Sequence, residues 1–107
     1  MTDLRRTPRA PIDATVGYAV KGGPDELYGQ ARDISLGGMF IEVPEAPEFG
    51  AEITVVVLLP GEKAPFSMPA VVRWARDGGM GIQFGLLGAR ETYAITEYVS
   101  KSDIAKP

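Results

Sequence analysis

The chain has 107 residues, 45% apolar and 23% charged, with a formal net charge of −3 and neither cysteine nor histidine. That length supports one hydrophobic core and not two. The missing cysteine excludes a disulfide scaffold, and a pI near 4.9 excludes the broad basic surface that general nucleic-acid or anionic-membrane binding requires.

The chain opens on LRRTPR, Leu4 to Arg9. Residues 1–9 carry three Arg against one Asp, a local +2, whereas the remaining 98 residues carry −5. Taken alone, such a stretch reads as a solvated basic tail. No apolar run follows it that would make a signal peptide. The longest apolar stretch, Ile53 to Leu59, falls far short of the roughly 18 residues needed to span a bilayer. A soluble, cytoplasmic protein without membrane insertion is expected.

Six strands are predicted in chain order. Ile12 to Val20 alternates with period two and stops at KGGPD; Leu27 to Ile34 follows and stops at SLGG. Met39 to Val43 is closed by PEAPEFG, whose prolines exclude a central strand. Ala51 to Leu59 (AEITVVVLL) reads as a strand buried on both faces. Ala70 to Arg76 and Gly81 to Phe84 flank Asp77-Gly78-Gly79, a hairpin connection. Leu86 to Ser100 lacks proline and places Leu87, Ala94, Ile95, Tyr98 and Val99 on one helical stripe. The pattern predicts an all-β fold with one C-terminal helix, a small antiparallel barrel or sandwich closed so that no sheet edge is left open.

Candidate chemistry is sparse. Without His or Cys the commonest general base, the thiol nucleophile and the soft metal ligands are missing, so no enzyme is expected. Glu42, Glu45, Glu48 and Glu52 lie at irregular spacing and read as a solvated acidic edge, not a metal site. Gly79-Met80-Gly81 and Gly37-Gly38 lack the strand-to-helix context of a phosphate loop. Tyr18, Phe40, Phe49, Phe66, Trp74 and Phe84 read mostly as core, and Trp74 as barrel packing, which counts against a platform for single-stranded nucleic acid.

Two stretches remain. Arg5 and Arg9 are four apart with Pro8 between them restricting the backbone, and Arg presents a planar fork that meets phosphate oxygens or the O6/N7 edge of guanine. In DISLGG, Asp33 to Gly38, Asp33 can accept from guanine N1–H and N2–H₂, Ser35 adds a hydroxyl, and Gly38 lets backbone approach closely. Each half is common alone; together they describe a receptor for guanine plus phosphate.

The pair resembles the signature of the PilZ domain family, bacterial receptors for cyclic di-GMP: RxxxR before the first strand, then [DN]xSxxG at the end of the second. Here the two are Arg5-Arg6-Thr7-Pro8-Arg9 and Asp33-Ile34-Ser35-Leu36-Gly37-Gly38, with 23 residues between Arg9 and Asp33. The resemblance implies a six-stranded antiparallel PilZ-like β-barrel over residues 12–100, with a mobile ligand-binding segment, 1–11, before it and a tail, 101–107, after it. It implies that Arg5, Arg9, Asp33 and Ser35 bind cyclic di-GMP, that Gly38 makes room, and that Arg6 adds a phosphate contact or a stacking plane. Leu4 stands where many relatives carry a further Arg, which leaves open whether one or two ligand molecules bind. No cofactor beyond this ligand is expected. The N-terminal segment would order on binding and signal through a downstream protein partner; the alternative is a PilZ-like adapter acting by protein contact without nucleotide. Motility, pili, exopolysaccharide and virulence are the processes such proteins regulate. The residues choose neither among these nor an oligomeric state.

Overall fold

A computed structural model describes residues 9–23, 25–76 and 78–105. The elements are β1 (Arg9–Val20), β2 (Glu26–Ser35), β3 (Gly38–Glu42), β4 (Glu52–Val57), β5 (Phe66–Arg76), β6 (Gly79–Phe84) and α1 (Ala89–Ala105). The strands close into one antiparallel barrel in the order β1-β2-β3-β6-β5-β4, with β4 returning to β1. Full closure removes the sheet edges that would otherwise invite pairing with another chain. All six predicted strands and the late helix are present.

Several boundaries differ, each for a physical reason. β1 begins at Arg9, three residues ahead of the expected start, because Arg9, Ala10 and Pro11 pair with Ser35, Ile34 and Asp33. β5 begins at Phe66, ahead of Pro69, which a strand interior normally rejects. Pro69 lies one residue beyond the last β5–β6 pair, Ala70 with Phe84. Its carbonyl accepts from Gly85 N–H on that side, so the missing proline donor faces a place where the ladder has ended. β4 is not buried on both faces: Ile53, Val55 and Val57 point inward while Glu52 and Thr54 are exposed and Val56 is half-buried. The barrel wall is one strand thick with solvent outside, and the Thr/Val-rich outer positions make the run look more apolar than its setting requires. At the β5–β6 turn, Arg76 pairs with Gly79 and Gly78 has φ +84°, a conformation that favours glycine. α1 continues past Ser100 to Ala105, since residues 101–105 hold no proline or glycine to stop it.

The interior is filled by alternating inward residues, among them Val16, Ala31, Ile34, Met39, Ile41, Val55, Val72 and Met80, all fully buried. α1 packs on β1 and β2 and lies across the end of the barrel where β1 and β5 begin. Its Tyr98 hydroxyl donates to the Pro11 carbonyl at 2.6 Å, and the Arg90 guanidinium sits 4.4 Å over the Phe66 ring. Of the predicted stripe, Ala94, Ile95 and Val99 join the core and Tyr98 packs against it; Leu87 does so too, but from the connection ahead of the helix, which starts at Ala89. No described helix is long and apolar enough to cross a membrane.

Two outcomes follow from this packing. Ile95 is wholly buried, so Ile95→Ala should destabilise the fold by about 2–5 kcal/mol in urea denaturation; a loss under about 1 kcal/mol would mean that α1 is not part of the core. Burial pushes the Tyr18 phenol above its ordinary 10.0. The native state therefore keeps this proton longer than the unfolded chain, and the associated stability is complete below pH 10 and declines as pH rises through the raised value. Tyr18→Phe should flatten that alkaline decline, leaving a shallower one from exposed Tyr28, whose phenol is raised by its hydrogen bond to Glu26; an unchanged slope would contradict the assignment.

Candidate functional site

The site lies on the outer wall of the barrel, and two breaks in strand alternation put it there. In β2, Ala31 and Ile34 both face the core although they are three residues apart. Strict alternation from Ala31 would send Asp33 and Ser35 inward. Instead the pairing with β3 shifts between Ala31 and Asp33, leaving Arg32 as an extra residue, and the pairing with β1 shifts between Pro11 and Ala14 at the same level. A bulge of this kind moves every later side chain to the opposite face. Arg32 and Asp33 both point outward, followed by Ile34 inward and Ser35 outward.

β5 repeats the device. Its register with β6 shifts between Val72 and Trp74, with Arg73 as the extra residue, so Trp74 leaves the phase of Ala70 and Val72 and emerges on the outside. Trp74 is 38% exposed, which corrects the expectation that it packs the barrel interior. Phe40 is likewise half-buried on the outer face rather than in the core. Phe49, 70% exposed, lies outside the core altogether. Tyr18, Phe66 and Phe84 are buried as expected.

On this face Arg9 Nη2 lies 2.9 Å from Asp33 Oδ1, and Arg9 Nη1 donates to Ser35 Oγ at 3.5 Å. Ser35 Oγ also accepts from Gly37 N–H at 3.2 Å, and the residue is 1% exposed. Guanidinium, carboxylate and hydroxyl are thus brought together from the start of β1 and the end of β2, residues paired across the two strands. The Arg9–Asp33 pair is exposed enough to contribute only about 0–1 kcal/mol to stability. Gly38 lines the same cleft, yet the space its missing side chain leaves is taken by a neighbouring strand: a Cβ there would collide with the Ile82 carbonyl oxygen. The close approach of β3 to β6 requires this glycine. Arg5 and Arg6 lie outside the described residues.

A cleft of about 310 Å³ runs from this polar cluster to the aromatic pair, lined by Arg9, Ser35, Gly38, Phe40, Arg73 and Trp74 among others. Phe40 and Trp74 stack with centroids 5.4 Å apart and planes at 21°. Each ring lies against a glycine of β6: a Cβ on Gly79 would meet Phe40 ring atoms at 2.6 Å, and one on Gly81 would collide with the Trp74 indole at Nε1. The Gly79-Met80-Gly81 stretch is therefore a seat for two flat rings. Arg76 sits 4.5 Å over the Trp74 ring, and Arg73 Nε donates to Gln83 Oε1 at 2.5 Å. Sequence reasoning misses Phe40, Arg73, Trp74 and Gln83 as cleft residues; the signal that could find them is glycine at successive outward positions of β6, which in a strand marks something pressed against the backbone.

The arrangement offers a fork of donors beside an acceptor, a hydroxyl, and an aromatic wall, a combination suited to a planar base carrying an anion. Among the described residues no three acidic side chains cluster in a way that could hold a metal ion, and the acidic edge pairs outward instead, Glu42 with Arg32 and Glu52 with Lys21.

Over 102 residues the chain is 28% identical to the cellulose synthase catalytic subunit (UDP-forming) of Xanthomonas axonopodis pv. citri, spanning 94% of this chain but only 14% of that protein. The fold is similar to that of the inhibitor of motility MotI/DgrA of Bacillus subtilis, with a TM-score of 0.79 and 19% identity over 99% of this chain and 54% of the other. It is also similar to the PilZ domain of YcgR from Escherichia coli with cyclic di-GMP, with a TM-score of 0.73 and 15% identity over 95% and 93% of the two chains. The family model for the PilZ domain matches residues 3–101, and with a closed six-stranded barrel capped by one helix, the chain belongs to the PilZ domain family.

Proposed function

We propose that this protein is a cyclic di-GMP receptor in which Arg9, Asp33 and Ser35, joined by Arg5 and Arg6 of the preceding segment, grip guanine and phosphate. The observation that carries the reading is the Arg9 guanidinium set 2.9 Å from the Asp33 carboxylate at the mouth of an aromatic-walled cleft. A donor fork beside an acceptor complements guanine, whose O6 acceptor adjoins its N1–H donor. Ser35, buried and already satisfied by Gly37, holds the loop and offers Arg9 a second anchor. The Phe40–Trp74 wall supplies an apolar surface for a base.

The Arg9–Asp33 pair is half-exposed, so exchanging it for interactions with ligand costs little. Each charge-assisted hydrogen bond to the nucleotide contributes roughly 1.5–3 kcal/mol before ordering costs, and several of them sustain micromolar or tighter binding. Fixing residues 1–8 against the barrel would create a surface that a downstream protein reads, an order-on-binding switch without catalysis.

A second reading is an adapter that works by protein contact alone. What favours it is that the Arg9 guanidinium is bonded within the chain to both Asp33 and Ser35.

Calorimetric titration of cyclic di-GMP separates the two. Wild-type protein should bind at tens of micromolar concentration or below, Arg9→Ala about tenfold or more weakly, and Ser35→Ala by a smaller factor. Absence of wild-type heat at tens of micromolar protein would reject the receptor and favour the adapter. The stoichiometry decides between one and two nucleotides.

A further inference from the structure

Asp33 faces outward beside Arg9 only because β2 carries an extra residue at Arg32, and that residue is held from both sides. Arg32 Nη1 lies 3.1 Å from Asp13 Oδ1 on β1, and Arg32 Nη2 lies 3.0 Å from Glu42 Oε1 on β3. Asp13 is itself braced, since the same Oδ1 accepts from Gln30 Nε2 at 2.5 Å, and Gln30 Oε1 accepts from Thr15 Oγ1 at 3.2 Å. The guanidinium thus spans three neighbouring strands at the level where both registers shift.

These side chains are 45–76% exposed, so as ion pairs they add little to folding stability. Their effect is geometric. A strand with a bulge competes with the same strand in plain alternation, and here plain alternation would turn Asp33 and Ser35 toward the core, where an unpaired carboxylate is strongly disfavoured. The burial cost excludes the wrong face but does not fix how Asp33 is aimed along the right one. An arginine tied to β1 and to β3 does, because the next residue in the chain is Asp33.

We propose that Arg32, outside both sequence motifs, is a positioning residue: clamped by Asp13 and Glu42, it pins the β2 bulge and aims Asp33 at the guanine edge. The proposal rests on the receptor reading above for its ligand, and on geometry alone for the bulge.

The test titrates cyclic di-GMP and cyclic di-IMP, which lacks the 2-amino group, into wild type, Arg32→Met, Arg32→Lys and Glu42→Gln, and follows amide hydrogen exchange over residues 31–37. Arg32→Met keeps the apolar stem and loses the fork. It should bind cyclic di-GMP about tenfold more weakly and discriminate less between the two nucleotides, because a loosened Asp33 no longer rewards the amino group. Its melting midpoint should fall by no more than about 5 °C, and amides 33–37 should exchange faster. Arg32→Lys should restore part of the affinity, and the isosteric Glu42→Gln, which takes the charge from one arm only, should fall between wild type and Arg32→Met. Affinity, discrimination and exchange all unchanged in Arg32→Met would overturn the proposal. So would equal weakening toward both nucleotides with discrimination intact, which would mark a general electrostatic effect. If wild type binds neither nucleotide, the receptor reading fails by itself; exchange then decides whether Arg32 pins the bulge, faster amides supporting it and unchanged amides refuting it.

Discussion

A barrel wall one strand thick gives each residue a choice of two faces, and the alternation of a β-strand makes that choice for the whole strand at once. A closed barrel of this size has an interior filled by side chains, with no room for a ligand or for unpaired polar groups. Recognition groups must therefore stand outside, on strands whose phase is set by the core. Here the conflict is resolved by two extra residues, Arg32 in β2 and Arg73 in β5. The first turns Asp33 and Ser35 outward and the second turns Trp74 outward, while Ala31, Ile34 and Val72 stay in the core. The polar cluster, the aromatic wall and the cleft between them all depend on these two extra residues.

The remaining parts of the face follow from close approach. Gly38 lets β3 lie against the Ile82 carbonyl, and Gly79 and Gly81 let Phe40 and Trp74 lie flat on β6. Glycine costs conformational entropy in a strand, and at these three positions that cost is offset by backbone and ring packing that no other residue permits. Arg9 then closes the cluster from the neighbouring strand, paired in register with Ser35. Its bridge to Asp33 is weak as a stabilising interaction and well placed as an exchangeable one: both partners keep solvent-facing capacity that a guanine or a phosphate can use.

Much of this is legible in the residues. Strand count and the helix stripe follow from period and punctuation, while the choice of a barrel over a sandwich and the joining of Arg9 with Asp33 and Ser35 follow from the resemblance to the PilZ signature. Trp74 reads wrongly as interior because AVVRWAR keeps period two through Val72, and nothing local announces that Arg73 is an extra residue. The bulge at Arg32 is hidden in the same way, since only the pairing with two neighbours reveals it. β4 looks doubly buried because Thr54 and Val56 are apolar enough for either face, and β5 begins ahead of its expected start because Pro69, which a strand interior rejects, is tolerated one residue beyond a ladder's end. In each case the deciding interaction comes from a distant part of the chain.

The central claim is that the register-shifted outer wall of β2, β3, β6 and β5 forms one site for cyclic di-GMP. The most direct measurement is a two-dimensional ¹H–¹⁵N spectrum recorded as this nucleotide is added. The account predicts resonance shifts concentrated at Arg9, Asp33 to Phe40, Arg73, Gly81 to Gln83 and the Trp74 indole N–H. Shifts confined to the opposite wall, around Val20, Thr54 and Leu86, or a saturable change that leaves Asp33 to Gly38 and Trp74 unmoved, would contradict it.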